Sequence, residues 1–345
     1  MIDVRDVGIA LKVPAGSFPF RGLEAGLAAV RGMGFALVEI GPAPFTVILD
    51  GEIQPRQLGS LLAVVRSSGL RFSVHGLGRL NLAYDPRHDL CRRIMRAQIE
   101  LCRAVGASRL VYHSGLQALD GVRTGLCRTL LSAEELEEGA RREAAALREL
   151  GRAAADAGVV IAVENLDPHS WEHQLIRQFD LPASDIDRHL ARLRIGPIVR
   201  QLEAIDHPNV GMTFDIGHLY LAAHDLGFPF LEAVSEAAPW VRHIHLSDNF
   251  GRLDVGYPDE MERRPYGEAD LHLPPGWGSI PFRDVLALLP DYRGDIILEI
   301  EQGFEGSLAE ARSTVRGILA APGRNPKVRD LIARVHRREA RRPDP

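Results

Sequence analysis

A chain of 345 residues, 46% hydrophobic and 25% charged, has the make-up of a globular protein and is long enough to bury a full core without staples. This excludes a disordered tail protein, a collagen and a disulfide-rich mini-protein, and a formal net charge of −5 leaves no electrostatic footprint for nucleic acid. The three cysteines, Cys91, Cys102 and Cys127, form neither a CxxC pair nor an even framework, so reduced thiols and a cytoplasmic location are expected. No run approaches the roughly 18 apolar residues of a membrane span. The opening MIDVRDVGIALKV reads as a first strand rather than a signal peptide.

Short runs rich in Val, Ile, Leu and Phe alternate with longer helix-like runs along the chain. The predicted order is strand 7–12, helix 21–33, strand 35–40, helix 55–68, strand 70–75, helix 86–105, strand 108–113 and helix 133–157. It continues with strand 158–164, helix 197–206, strand 209–215, helix 228–238, strand 241–246, helix 281–289, strand 295–300 and helix 306–320. Ser132 precedes Glu135 at capping-box spacing, and Pro55 and Pro281 suit a first helical turn. Strands this apolar are those of a parallel sheet covered by helices. Eight β/α units fit a closed (β/α)₈ TIM barrel, a single α/β domain over 1–321, better than an open doubly wound sheet. No GxGxxG follows the first strand, so no nucleotide cofactor is expected.

Two βα loops are long. One spans 165–196 after the fifth strand and carries His169, Trp171 and His173; the other spans 247–280 after the seventh. Such loops form the ligand-binding mouth of a barrel. His169 and His173 are spaced i,i+4, as on one face of a helix, and read as lid residues. The tail 322–345 is rich in Arg and Pro and reads as a solvated helix with a frayed end, with a homo-oligomer contact as a further option.

The main functional signal is positional. Glu39, His75, His113, Glu164, Asp215, His245 and Glu299 stand at the ends of seven predicted strands, and each can bind a metal or move a proton. A strand that is apolar until a final ionisable group places that group at the barrel mouth, and the two-residue period lets it point inward. Any one alone resembles a structural histidine or a capping glutamate; the set does not. Converging charges would repel and lose solvation, and a cation is the simplest compensation. Carboxylates mixed with imidazoles suit Mn²⁺, Zn²⁺, Co²⁺ or Fe²⁺, with Mg²⁺ also admitted, and no thiolate is available. In TFDIGH, Asp215 and His218 can face one pocket across a turn; in DLHLPPGWGSI, Asp270 and His272 share a side of an extended chain. Gly276 and Gly278 would let that loop approach a ligand closely. Trp277, between them, is the best candidate to stack on a sugar, Trp240 reads as core, and Lys12 and Arg252 as surface pairs.

VHGLGRLNLAYD (74–85), RAVGASRLVYHSG (103–115), VENLD (163–167), VGMTFDIGH (210–218), HIHLSDNFG (243–251) and DLHLPPGWGSI (270–280) together resemble the xylose-isomerase-like TIM-barrel superfamily. That superfamily includes sugar-phosphate isomerases and epimerases and the endonuclease IV group. The isomerase pattern implies a carbohydrate enzyme with a divalent metal on Glu164, Asp215, His245 and Glu299. It also implies Glu164 and Glu299 exchanging protons on either face of an enediolate, with His218 binding substrate oxygens. Glu39 and Trp277 are further substrate-binding candidates. Glu301 shares the strand face of Glu299 and rivals it, but LEI places Glu299 where the family's last ligand falls.

The endonuclease pattern implies three metals: one on His75, His113 and Glu164, a second on the quartet above, and a third on His218, Asp270 and His272. Every one of those positions is filled. However, DIGH replaces a DTCH-like run, VENLDPHS replaces ENTAGQG, and Leu271 replaces the usual Arg between Asp and His. The LPPGWGSI segment looks like the loop of the sugar enzymes. A metal-dependent isomerase or epimerase acting on a sugar or keto-sugar is therefore the leading expectation, with no nucleic-acid or membrane partner. The alternatives are a lyase or dehydratase on a keto-sugar or cyclitol, a multi-zinc phosphodiesterase, and a binding protein that has lost catalysis.

Overall fold

A computed structural model describes residues 3–13, 18–113, 118–125, 129–256 and 260–320. Cys127, the end of the 103–115 motif and the tail 322–345 with its expected roles lie outside the described residues.

Eight parallel strands close into a barrel: Val7–Ala10, Leu37–Ile40, Arg71–His75, Arg109–Tyr112, Val160–Glu164, Val210–Asp215, Val241–Leu246 and Ile296–Leu298. Each strand pairs with the next in sequence, and the first pairs with the eighth through Val7↔Ile296 and Ile9↔Leu298. A helix follows each strand and lays its apolar stripe on the barrel. Leu23, Leu61, Met95 and Leu147 are all buried in one cluster with Val38, Val74, Leu110 and Ile161.

Local chemistry explains the helix limits. Helix Ala133–Asp156 opens on the expected capping box: Ser132 Oγ accepts from the Glu135 amide at 3.3 Å, and Glu135 Oε2 accepts from the Ser132 amide at 2.7 Å. Pro55 begins helix Pro55–Ser68, which stops at Gly69 in the left-handed region. Pro281 sits just before helix Phe282–Ala287 rather than inside it.

Three elements go beyond the sequence reading. A small hairpin, Ile48–Leu49 with Glu52–Ile53, turns at Asp50 and Gly51, both at positive φ. Helix Ser170–Gln178 lies in the long fifth loop, where it packs through Ile176 on Ile186, Leu190 and Leu193 as a small second core. Helix Ile216–Asp225 starts directly at the end of the sixth strand, where a turn was expected. Among the described residues, no helix is long and apolar enough to cross a membrane.

Candidate metal centre

Strand register brings the ionisable groups together. Asp215 is the Cα partner of His245, and His245 that of Ile297, so Glu299 follows two residues beyond on the next strand. The sixth and seventh strands pair Met212↔Val241 and then Thr213↔His243, a shift that leaves Arg242 unmatched. Without that shift Asp215 would stand beside Ile244. With it, His243 and His245 share a face with Thr213 and Asp215 and project into the barrel.

The Nδ1 atom of His245 is the hub. It lies 2.6 Å from Glu164 Oε1, 3.1 Å from Glu299 Oε2 and 3.8 Å from Asp215 Oδ2. The expected quartet therefore meets, but the tightest grouping differs from it. His75, Glu164, His245 and Glu299 place ligand atoms within 4.8 Å of one another, while Asp215 groups with Glu164 and His218. His113 joins from the fourth strand, its Nε2 atom 3.4 Å from Glu164 Oε2 and 3.1 Å from His75 Nε2.

A second group adjoins the first. Asp215 caps helix Ile216–Asp225, its Oδ1 accepting from the His218 amide at 2.8 Å, and that cap turns the His218 ring into the mouth. The His218 and His272 Nε2 atoms lie 3.3 and 3.2 Å from Asp270 Oδ2. Asp270 and His272 meet as expected, but not on plain extended chain: Ala269 and His272 have φ of 70° and 44°. The loop that carries them is sewn down by Asp248, which accepts from the amides of Asn249, Gly276 and Ile280. A Cβ on Gly278 would stand 2.4 Å from Asn249 O and from Asp248 Oδ1. Gly278 is thus required by packing within the loop, and Gly276 by its φ of 96°.

Other candidates are placed elsewhere. Glu39 is 1% exposed and sits on the far side of His245, Oε1 lying 2.9 Å from His245 Nε2. Trp277 is 45% exposed on the rim, its ring edge-to-face with Phe304. Glu301 pairs with Lys12, away from the cluster that Glu299 joins. Arg252 donates to Tyr266 O, and Trp240 packs partly buried on the core. His169 precedes its helix rather than sharing a face with His173; it lies between Asp167 and Glu172, and His173 bonds Asp225 at 2.8 Å. Lys12, Glu39, His75 and Glu299 line a cavity of about 260 Å³ at the mouth.

Burial and charge pull these groups in opposite directions. Burial pushes the Asp215 carboxyl up to about 7; His218 opposes the rise, while Asp270 and Glu164 add to it. Burial also disfavours the Glu164 and Glu299 carboxylates, but the charge of His245 close beside them outweighs it and holds both down. His245 and His218 are raised despite burial, by the carboxylates around them. His113 is pushed down to about 4 by burial and by His75, and so stays neutral beside Glu164.

Hydrogen bonding leaves a residue of need. Glu164 Oε1, Asp215 Oδ2, His245 Nδ1 and Asp270 Oδ2 are buried and find no hydrogen-bond geometry despite their close neighbours. Buried polar atoms are ordinarily paired. Acceptors crowded on acceptors in a buried pocket, drawn from imidazoles and carboxylates without a thiolate, fit a divalent transition-metal ion.

A profile of the family described as xylose isomerase-like TIM barrel matches residues 27–317. Over 99 residues the chain is 35% identical to an uncharacterised protein of Methanocaldococcus jannaschii, a match covering 28% of this chain and 27% of that protein. It thus spans about a quarter of that curated relative. Among solved structures it is similar to a D-tagatose 3-epimerase-like protein, with a TM-score of 0.63, 19% identity and coverage of 91% of this chain and 97% of that one. It is also similar to 3-keto-D-glucoside 4-epimerase from E. coli, with a TM-score of 0.58, 14% identity and coverage of 92% and 99%. For D-psicose 3-epimerase from Clostridium cellulolyticum H10, solved with D-tagatose, the TM-score is 0.55 at 15% identity, with coverage of 97% and 98%. At these identities the likeness is one of fold.

Proposed function

The chain belongs to the xylose isomerase-like TIM-barrel family, and on that premise we propose that it is a divalent-metal-dependent isomerase or epimerase moving a proton on a sugar or keto-sugar. One observation carries the proposal: Glu164 Oε1 and Glu299 Oε2, from strands three places apart around the ring, both close on His245 Nδ1, at 2.6 and 3.1 Å. The names of the structural neighbours, epimerases of D-tagatose, D-psicose and a keto-glucoside, support the substrate class.

Glu164, Asp215, His245 and Glu299 would hold the ion, with His75 as a further donor beside them. The ion would polarise a carbonyl and its neighbouring hydroxyl and so acidify the intervening C–H. Glu164 and Glu299 are held ionised, so either is ready to accept a proton, and two bases on different strands let one remove it and the other return it. The neutral His113 beside Glu164 Oε2 lets that carboxylate accept a proton without a competing acid. His218 would donate to substrate oxygens through Nε2–H when its ring is charged, a form the surrounding carboxylates favour, while Nδ1 donates to Asn165 O at 2.8 Å. Helix Ser170–Gln178 is tied to the seventh loop by Ser170 Oγ donating to Asp254.

The test is metal analysis of the purified chain with solvent-deuterium exchange against a panel of keto-sugars. A single bound divalent ion with deuterium entering the substrate is the expected result, and release of water would point to the lyase alternative. A second reading, phosphodiester hydrolysis with further ions, draws on the His218, Asp270 and His272 group and its unpaired Asp270 Oδ2. Several bound zinc ions and cleavage of an abasic duplex would replace the first reading with the second.

A further inference from the structure

We propose that Glu39 is a positioning residue that fixes which nitrogen of His245 faces the metal centre; this rests on the metal reading above. Glu39 stands on the second strand, and its side chain crosses the barrel interior to the seventh, three places away around the ring. It is 1% exposed; Oε2 is hydrogen-bonded, while Oε1 and the His245 Nε2 atom it faces are buried without hydrogen-bond geometry to any other group. Oε2 accepts from Ser73 Oγ at 2.8 Å and faces His243 Nε2 at 2.8 Å, while Oε1 faces His245 Nε2 at 2.9 Å.

An ionised carboxylate only accepts, so both imidazoles must turn Nε2–H toward it. A neutral His245 then carries its lone pair on Nδ1, the atom that Glu164, Asp215 and Glu299 surround. The other histidines of the mouth are held the opposite way round. His218 and His272 give Nδ1 to the backbone carbonyls of Asn165 and Glu299, leaving Nε2 for the cluster. Among these three anchors only Glu39 carries a full charge, which makes the ring it holds the more basic ligand.

Glu39→Gln keeps the shape but places an amide NH₂ against a donor: Ser73 and the two imidazoles together need acceptors on both oxygens. Co²⁺ would be titrated into the chelator-treated full chain and read by calorimetry and by the visible ligand-field spectrum, for wild type, Glu39→Gln, Ser73→Ala and Glu164→Gln. Glu39→Gln is expected to weaken Co²⁺ binding about 10–100-fold and to alter the spectrum, because the ring's ligand atom is no longer fixed. Ser73→Ala, which removes one donor to Glu39 without touching a ligand, should weaken it about threefold and supplies the answer if Glu39→Gln does not fold. If both match wild type in affinity and spectrum while Glu164→Gln loses Co²⁺, the role of Glu39 is overturned and the metal centre stands. If wild type itself takes up no Co²⁺, the metal reading falls and this assignment with it.

Discussion

Replacing Glu164 with Gln keeps the side chain's shape and removes its charge, and the metal-free and metal-loaded proteins should respond differently. Glu164 is 1% exposed, with Oε1 2.6 Å from His245 Nδ1 and Oε2 3.4 Å from His113 Nε2. Breaking a buried ion pair costs about 3–5 kcal/mol when the partner is left unpaired. Here His245 keeps Glu39 at 2.9 Å and Glu299 at 3.1 Å, and one of several crowded carboxylates is gone. The two effects offset, and the metal-free variant should melt within about 1–2 kcal/mol of wild type. With Mn²⁺ or Co²⁺ at a hundredfold excess over Kd, wild type should gain about 2.7 kcal/mol. For a chain of this size that is a rise in Tm of roughly 5 °C, at about 2 °C per kcal/mol. Glu164→Gln should rise by less than about 1 °C and lose turnover by about 10²–10⁴-fold, the worth of a positioned base. Differential scanning calorimetry of chelated protein, with and without the ion, reads the melting temperatures, and solvent-deuterium exchange into substrate reads the turnover. A variant that shows the wild-type rise would refute the placement of Glu164 at the ion.

Three further outcomes are expected. Because burial pushes Asp215 up to about 7 and a carboxylate must lose its proton to bind a metal, cation affinity should climb between about pH 6 and 8 with a proton released below pH 7; a flat calorimetric profile would contradict this. His169 is raised to about 9 by the charge of Asp167, against its burial, with Glu172 adding. Its contribution to holding helix Ser170–Gln178 is thus complete below the ordinary histidine pKa of about 6.5 and lost as pH rises through about 9. Hydrogen exchange of that helix, corrected for intrinsic rates, should quicken over this window in wild type and not in His169→Gln. Finally, Arg192 and Glu143 are both fully buried and pair at 3.0 Å, so Arg192→Met should cost about 3–5 kcal/mol, or roughly 6–10 °C in Tm; a loss below a degree would show that the pair does not hold the fold.

Much of the site was legible because a strand's end is marked in its own residues. Glu164 and Asp215 close their strands, and a capping box announces the helix at Ser132, all from neighbours within a few positions. Helix Ile216–Asp225 was missed because TFDIGHLYLAAHD is apolar nearly throughout, so strand and helix run together without a polar break; its start is the Asp215 side chain itself, which reads equally well as a ligand. Helix Ser170–Gln178 hid inside a long loop because its burial is borrowed from Ile186, Leu190 and Leu193, residues whose own periodicity is broken.

The chain's periodicities by themselves determined eight β/α units and put acids and imidazoles at the strand ends, since both are set by bond geometry over a few residues. Only tertiary structure decided which of those groups touch. The register shift beside Arg242 aims His243 and His245 inward, Glu299 turns to His245 while Glu301 turns to Lys12, and Glu39 reaches across the barrel to a histidine more than two hundred residues away. Those choices depend on the angle between one strand and another around the ring, and no spacing along the chain encodes that angle.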